Sequence, residues 1–276
     1  MKKFYLFLFL IFSTVLAYAA PEPYAHLDIF ETFDKTFIQH IINEEEATYT
    51  ICTDKTKEGQ YIVEEDWAKE IFFTSLNNWK QRVSYYINKN RKQQGKFDEI
   101  LNILNREHKI KQIPCNFNED GSIDKQADLL LHFKVPIVDK YCGANIACYV
   151  NWEGAIIIKI VDRLNDNDYI QTVSHELGHA FGLADQYSGA TIKSSFLYSS
   201  KIRRPSIMNK SQYITCDDAD GLITVIDRLK NNDKHREFHS LCKDGIFIKD
   251  GQRITKQNKP YQFKENYLYF QKKLFF

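Results

Sequence analysis

The sequence predicts an α+β or α/β sandwich, a sheet with one long helix packed on it and a second helix beneath or behind it. Three observations lead there. Two runs, "ADLLLHFKVPIV" (Ala127 to Val138) and "GAIIIKIVD" (Gly154 to Asp162), are dense in Leu, Ile and Val and have the length of buried strands. Between Glu64 and Asn90 the apolar residues Trp67, Ile71, Leu76, Trp79, Val83, Tyr86 and Ile87 recur close to the helical period. In "NDNDYIQTVSHELGHAFGLADQY", Ile170, Val173, Leu177, Ala180 and Phe181 form one helical stripe and leave His175, Glu176 and His179 off it.

Bulk composition narrows the class. A chain of 276 residues with 43% hydrophobic and 26% charged content can bury a core, so disorder is not expected. With 37 basic against 36 acidic residues the net charge is +1, which gives no reason to expect a nucleic acid or an anionic membrane as partner. The opening "MKKFYLFLFLIFSTVLAYAAPEP" has the form of a signal peptide over residues 1–19: Lys2 and Lys3, an apolar run from Phe4 to Leu16, then Ala17-Tyr18-Ala19. That run is shorter than the roughly 20 apolar residues of a membrane span. The expectation is an exported protein, periplasmic or extracellular, with no stable membrane span after cleavage. Cys52, Cys115, Cys142, Cys148, Cys216 and Cys242 then suggest three disulfides. Chain proximity suggests Cys142 with Cys148 and Cys216 with Cys242, leaving Cys52 with Cys115, one choice among many. No C-x-x-C occurs, which argues against a cysteine metal site.

The elements follow in order. Residues 20–46 form an N-terminal segment. "ATYTICT", Ala47 to Thr53, has strand character. The long helix spans Glu64 to Asn90 and a shorter one Phe97 to Arg106. The two apolar runs are strands, and "ANIACYVNWEG" between them is a further strand or edge ribbon. The histidine-bearing helix starts after "NDND", with Asn167 or Asp168 as N-cap. "CDDADGLITVIDRL" aligns Leu222, Val225, Ile226 and Leu229 on one face and is another helix. In the tail, 244–276, Asp250-Gly251 between alternating residues signals a two-residue hairpin, and the aromatic end suggests one more strand.

The chemistry concentrates at "HELGH". Helical residues four apart are neighbours about 6 Å apart along the axis, so His175 and His179 can converge on one metal ion. Glu176 then points beside the metal, where it can take a proton from a water and pass it to a leaving amine. With 8 His and 36 acidic residues in 276, chance supplies about 0.03 such patterns in the chain. A third ligand ten residues after His175 can reach the same metal only if the helix ends and the chain doubles back. Gly182 is placed to allow the positive φ of that turn, and Asp185 is the residue in question.

"HELGHAFGLAD" resembles the extended zinc signature of the metzincin metallopeptidases, H-E-x-x-H-x-x-G-x-x-H, with Asp in the last place as in snapalysin-type enzymes. "PSIMN", Pro205 to Asn209, is similar to their Met-turn, which would make Met208 an apolar floor under the metal. The resemblance implies a zincin-like, two-lobed catalytic domain. Its upper lobe, 47–185, holds a twisted mixed sheet with a backing helix and the active-site helix; its smaller, mainly helical or irregular lower lobe, 186–243, holds the Met-turn. It implies one catalytic Zn2+ held by His175, His179 and Asp185, Glu176 as the catalytic residue, and a protein or peptide substrate. An edge strand near Asn145 to Trp152 would pair with that substrate. The sequence departs from the pattern twice. Asp185 lowers the formal charge of the zinc site to +1, which implies a less acidified water. Lys210 stands where some members have a tyrosine, leaving Tyr213 or Tyr187 as oxyanion or cleft candidates.

Rival readings exist. No glutamate lies between Glu176 and Glu237, which weakens a downstream glutamate as third ligand. Asp217, Asp218 and Asp220 are alternative aspartate ligands, though they also fit the first turn of a helix, where the dipole favours acids. His235 and His239 are also four apart, but without the glutamate and the turn. A secreted binding or adhesin-like protein with a structural zinc is the reading from another class; it would need a fourth protein ligand and no Glu176.

Overall fold

Leu129, Leu131 and Phe133 alternate with Leu130 and His132, and this period of two sorts the central sheet into two unlike faces. The computed structural model describes residues 36–89, 94–107, 109–119, 122–124, 126–135, 142–143, 145–150, 153–183, 202–203, 206–208, 213–232, 247–249 and 252–254. The leader 1–19, Asp185, Tyr187, the His235 and His239 pair, Cys242 and the tail beyond 254 lie outside the described residues.

The fold is α+β, with a five-stranded mixed sheet and five helices among the described residues. Helix α1 (Thr36–Asn43) precedes β1 (Ala47–Thr53), which matches the expected strand residue for residue. After α2 (Glu65–Lys89) and α3 (Gln94–Asn105), β2 (Ile110–Gln112) returns parallel to β1. Strands β3 (Leu129–Lys134) and β5 (Ala155–Lys159) extend the parallel set, and β4 (Ala147–Val150) closes it antiparallel to β5. The order is β2-β1-β3-β5-β4, so the ribbon expected between the two apolar runs is an edge strand. Helix α4 (Asp166–Ala180) carries "HELGH", and α5 (Cys216–Asn231) follows it. A small antiparallel sheet joins β6 (Ile202–Arg203), β7 (Phe247–Lys249) and β8 (Gln252–Ile254). β7 and β8 are the arms of the expected hairpin; the Asp250-Gly251 turn itself lies outside the described residues.

Three elements were not anticipated: α1, β2 and the two-residue strand β6. Helix α1 buries Phe37, Ile38, Ile41 and Ile42 in the main core, so part of the N-terminal segment belongs to that core. Strand β2 has a single apolar residue, Ile110, and is held by its ladder to β1.

One sheet face, with Tyr49, Ile51, Leu129, Leu131, Phe133, Ile156 and Ile158, packs against the helices in a core that includes Phe72, Trp79, Val173 and Leu177. Each such side chain removed from water contributes about 1.5–3 kcal/mol. The opposite face has a smaller cluster of Cys52, Leu130, Cys142, Val150, Ala155 and Ile157. There the disulfides Cys52–Cys115 and Cys142–Cys148 each tie a loop residue to a strand, β1 and β4 respectively. Both pairings agree with those expected. Cys216 is disulfide-bonded as well, while its expected partner Cys242 lies outside the described residues. These bonds are compatible with an exported protein. No helix among the described residues is long and apolar enough to cross a membrane.

Candidate metal centre

The site is built on α4, whose start differs from the sequence expectation. The N-cap is Asn165, because its side chain accepts from the backbone N–H groups of Asn167 (2.9 Å) and Asp168 (3.3 Å). The Asp168 carboxylate accepts in return from the Asn165 N–H at 3.0 Å, completing a capping box. Asn167 and Asp168 are therefore inside the first turn. Burial raises the pKa of the Tyr169 phenol in that turn, and its hydroxyl bridges the backbone of Val161.

Helix α2 grips α4 along its length. Trp67 Nε1 donates to Asp166, the Ser75 hydroxyl to the Ile170 carbonyl at 3.0 Å, and Trp79 Nε1 to the Ser174 carbonyl at 2.8 Å. Ile170, Val173, Leu177, Ala180 and Phe181 form the expected buried stripe. His175 is partly buried, but Glu176 and His179 are only 6% and 8% exposed, so they face the interior of the site, away from open solvent.

His175, Glu176 and His179 each offer a ligand atom, and these atoms lie within 4.8 Å of one another. Both imidazoles have a fixed tautomer. His175 Nδ1 lies 2.7 Å from the Ile207 carbonyl and His179 Nδ1 lies 2.7 Å from the Leu183 carbonyl. A carbonyl only accepts, so each Nδ1 carries the hydrogen, and the neutral form of either ring has its lone pair on Nε2, an arrangement suited to binding a metal. The group could therefore bind a metal ion.

The turn after α4 explains one of these contacts. Gly182 has φ +91°, the left-handed region that favours glycine. Its N–H bonds the His179 carbonyl at 2.8 Å, and the Leu183 N–H bonds the Gly178 carbonyl at 2.9 Å, a Schellman closure. The expected reversal at Gly182 is thus present, and it also brings the Leu183 carbonyl to His179.

Ser206, Ile207 and Met208 form the second support. Met208 is fully buried against α4: a Cβ on Gly178 would collide with the Met208 sulfur and lie 3.2 Å from Met208 Cε and from Trp79 Cζ2. The glycine inside the motif is therefore where the thioether passes under the helix. Asp218 organises this turn. Its Oδ1 accepts from the Ser206 hydroxyl, and its Oδ2 from the N–H groups of Ile207 (2.9 Å) and Thr215 (2.7 Å) and from the Thr215 hydroxyl (2.9 Å). The Met208 N–H donates to the Ser206 oxygen at 2.9 Å.

Asp218, weighed in the sequence as a rival metal ligand, is instead the fully buried anchor of the segment that holds His175. It occupies the third position of α5, so the expectation of an acid in a first turn describes it in part. Asp220 is also buried. Tyr213, an oxyanion candidate, is 39% exposed just before α5. One aromatic was not singled out in the sequence: Tyr149 on β4 lies nearly parallel to the His179 ring, with centroids 6.2 Å apart.

No family model, curated protein or solved structure matches the chain.

Proposed function

We propose that the chain is a secreted, zinc-dependent endopeptidase of metzincin type. The observation that carries this reading is the convergence of His175, Glu176 and His179, with both Nδ1 atoms on backbone carbonyls, over a fully buried Met208 that underlies Gly178. A closed structural site would need a fourth protein ligand and would not need Glu176 as a base. In this reading His175, His179 and Asp185 hold the ion, and residues 47–185 and 186–243 are the upper and lower lobes of a zincin-like domain. Bound zinc would supply Lewis acidity to the attacking water and to the scissile carbonyl.

The chain's residues do the rest. Glu176 accepts a proton from the attacking water and returns it to the amine nitrogen as the peptide bond breaks. The Ile207 and Leu183 carbonyls hold the imidazoles so that neither ring must reorient during turnover. The outer edge of β4 offers backbone groups to an extended polypeptide.

The test is Glu176→Gln beside the wild type, with zinc content and cleavage of a mixture of protein substrates measured for both. Zinc retained by both and cleavage lost only in the variant supports the peptidase. A wild type that holds zinc tightly and cleaves nothing points to the structural-zinc alternative. Asp185→Ala is expected to lower zinc affinity sharply; unchanged zinc content removes Asp185 from the ligand set.

A further inference from the structure

We propose that Tyr149 is a positioning residue for His179, an inference that rests on reading His175, Glu176 and His179 as a zinc centre. The hydrogen bond from Nδ1 to the Leu183 carbonyl fixes one corner of the His179 imidazole, and neighbouring rings bear on its edge and its face. The edge of His175 restrains it on one side, with ring centroids 5.1 Å apart and planes at 83°. Tyr149 restrains its face, with planes only 20° apart.

Tyr149 is well placed for this role. It pairs with Ile156 in the β4–β5 ladder, whose side chain points into the helix-side core, so Tyr149 stands between the edge strand and α4. The strand that carries it is anchored. Its neighbour Cys148 is bonded to Cys142, the Lys159 N–H donates to the Ile146 carbonyl at 2.8 Å, and the Lys159 ammonium donates to the Gly143 carbonyl. The wall against His179 is therefore braced, although among the described residues β4 pairs with β5 alone.

The test compares Tyr149→Phe, which keeps the ring, with Tyr149→Leu, which removes it. Two quantities are read: zinc affinity by competition with a chromophoric chelator, and the His179 ring proton resonances of the zinc-free protein, which an overlying aromatic face displaces by its ring current. Tyr149→Phe is expected to stay within about two-fold of the wild type in affinity and to leave the resonances in place. Tyr149→Leu is expected to weaken zinc binding about five-fold, the size of effect a ring contact supports, and to move the resonances. If Tyr149→Leu does not fold, Tyr149→Val, a better strand former, replaces it. A ring-free variant that changes neither quantity overturns the proposal. If the wild type binds no zinc, the metal reading fails separately, and the resonances alone decide: moved by the ring-free variant and unmoved by Tyr149→Phe, they sustain the contact; unmoved by both, they refute it.

Discussion

Asp218→Ala removes the acceptor at the centre of the Met208 turn. The carboxylate is fully buried and takes four hydrogen bonds, two from hydroxyls and two from the backbone N–H groups of Ile207 and Thr215. Hydroxyls can rotate to other acceptors, whereas the two N–H groups cannot. Each stranded buried donor costs about 1–3 kcal/mol, and release from the cost of burying a charge returns part of that, leaving a net loss of about 2–4 kcal/mol. Against a total stability of about 5–15 kcal/mol this is large. At about 2–4 °C per kcal/mol for a chain of this size, Tm falls by about 4–16 °C. The disturbance also reaches His175 through the Ile207 carbonyl, so, on the proposed reading of the site as a zinc centre, zinc affinity is expected to drop about tenfold, the lower end for loss of an outer partner of a ligand. Asp218→Asn retains an acceptor for the backbone donors and should lose about 1 kcal/mol. Thermal unfolding and chelator competition measure both effects. An alanine variant within about 0.5 kcal/mol of the wild type, with unchanged zinc affinity, would show that Asp218 does not organise the turn.

Gly178→Ala pushes a methyl into the Met208 sulfur and against Trp79, and should cost about 1–3 kcal/mol in denaturant unfolding while helix content is retained. A neutral result would mean that Met208 does not pass under α4 as described. The disulfides should differ in weight. Cys52 and Cys115 are 63 residues apart, so replacing both with alanine is expected to lose about 4 kcal/mol; Cys142 and Cys148, 6 apart, should lose about 2 kcal/mol. The reverse ranking in urea unfolding would show that native-state packing, not chain entropy, dominates.

Much of the fold can be read where apolar side chains repeat strongly. β1, α2, β3, β5, α4 and α5 are all long or dense enough for their period to show. α1 escapes because eight residues give little more than two turns of pattern, although Phe37, Ile38, Ile41 and Ile42 are all buried. β2 escapes because backbone pairing, which has no letter in the sequence, is what holds it. The same contrast holds at the site. The spacing of His175, Glu176 and His179 is visible, and so is the glycine that reverses the chain at residue 182. The Leu183 and Ile207 carbonyls that set the two tautomers are backbone atoms, and no residue type announces them. The role of Asp218 is hidden for a related reason: an acid at the third position of a helix is ordinary, and only three-dimensional proximity to Ser206 and Ile207 distinguishes it.

The two sheet faces are closed by unlike chemistry, one by apolar packing and one by covalent bonds. The helix-covered face is closed by burial of apolar side chains and by backbone pairing, neither of which needs an oxidant. The other face, where Cys52 joins Cys115 and Cys142 joins Cys148, is fastened by oxidation, which takes seconds to hours and depends on the surrounding thiol pool. The half of the molecule that holds His175, Glu176 and His179 is thus closed without oxidation, whereas the sealing of the back answers to the thiol–disulfide balance around the chain.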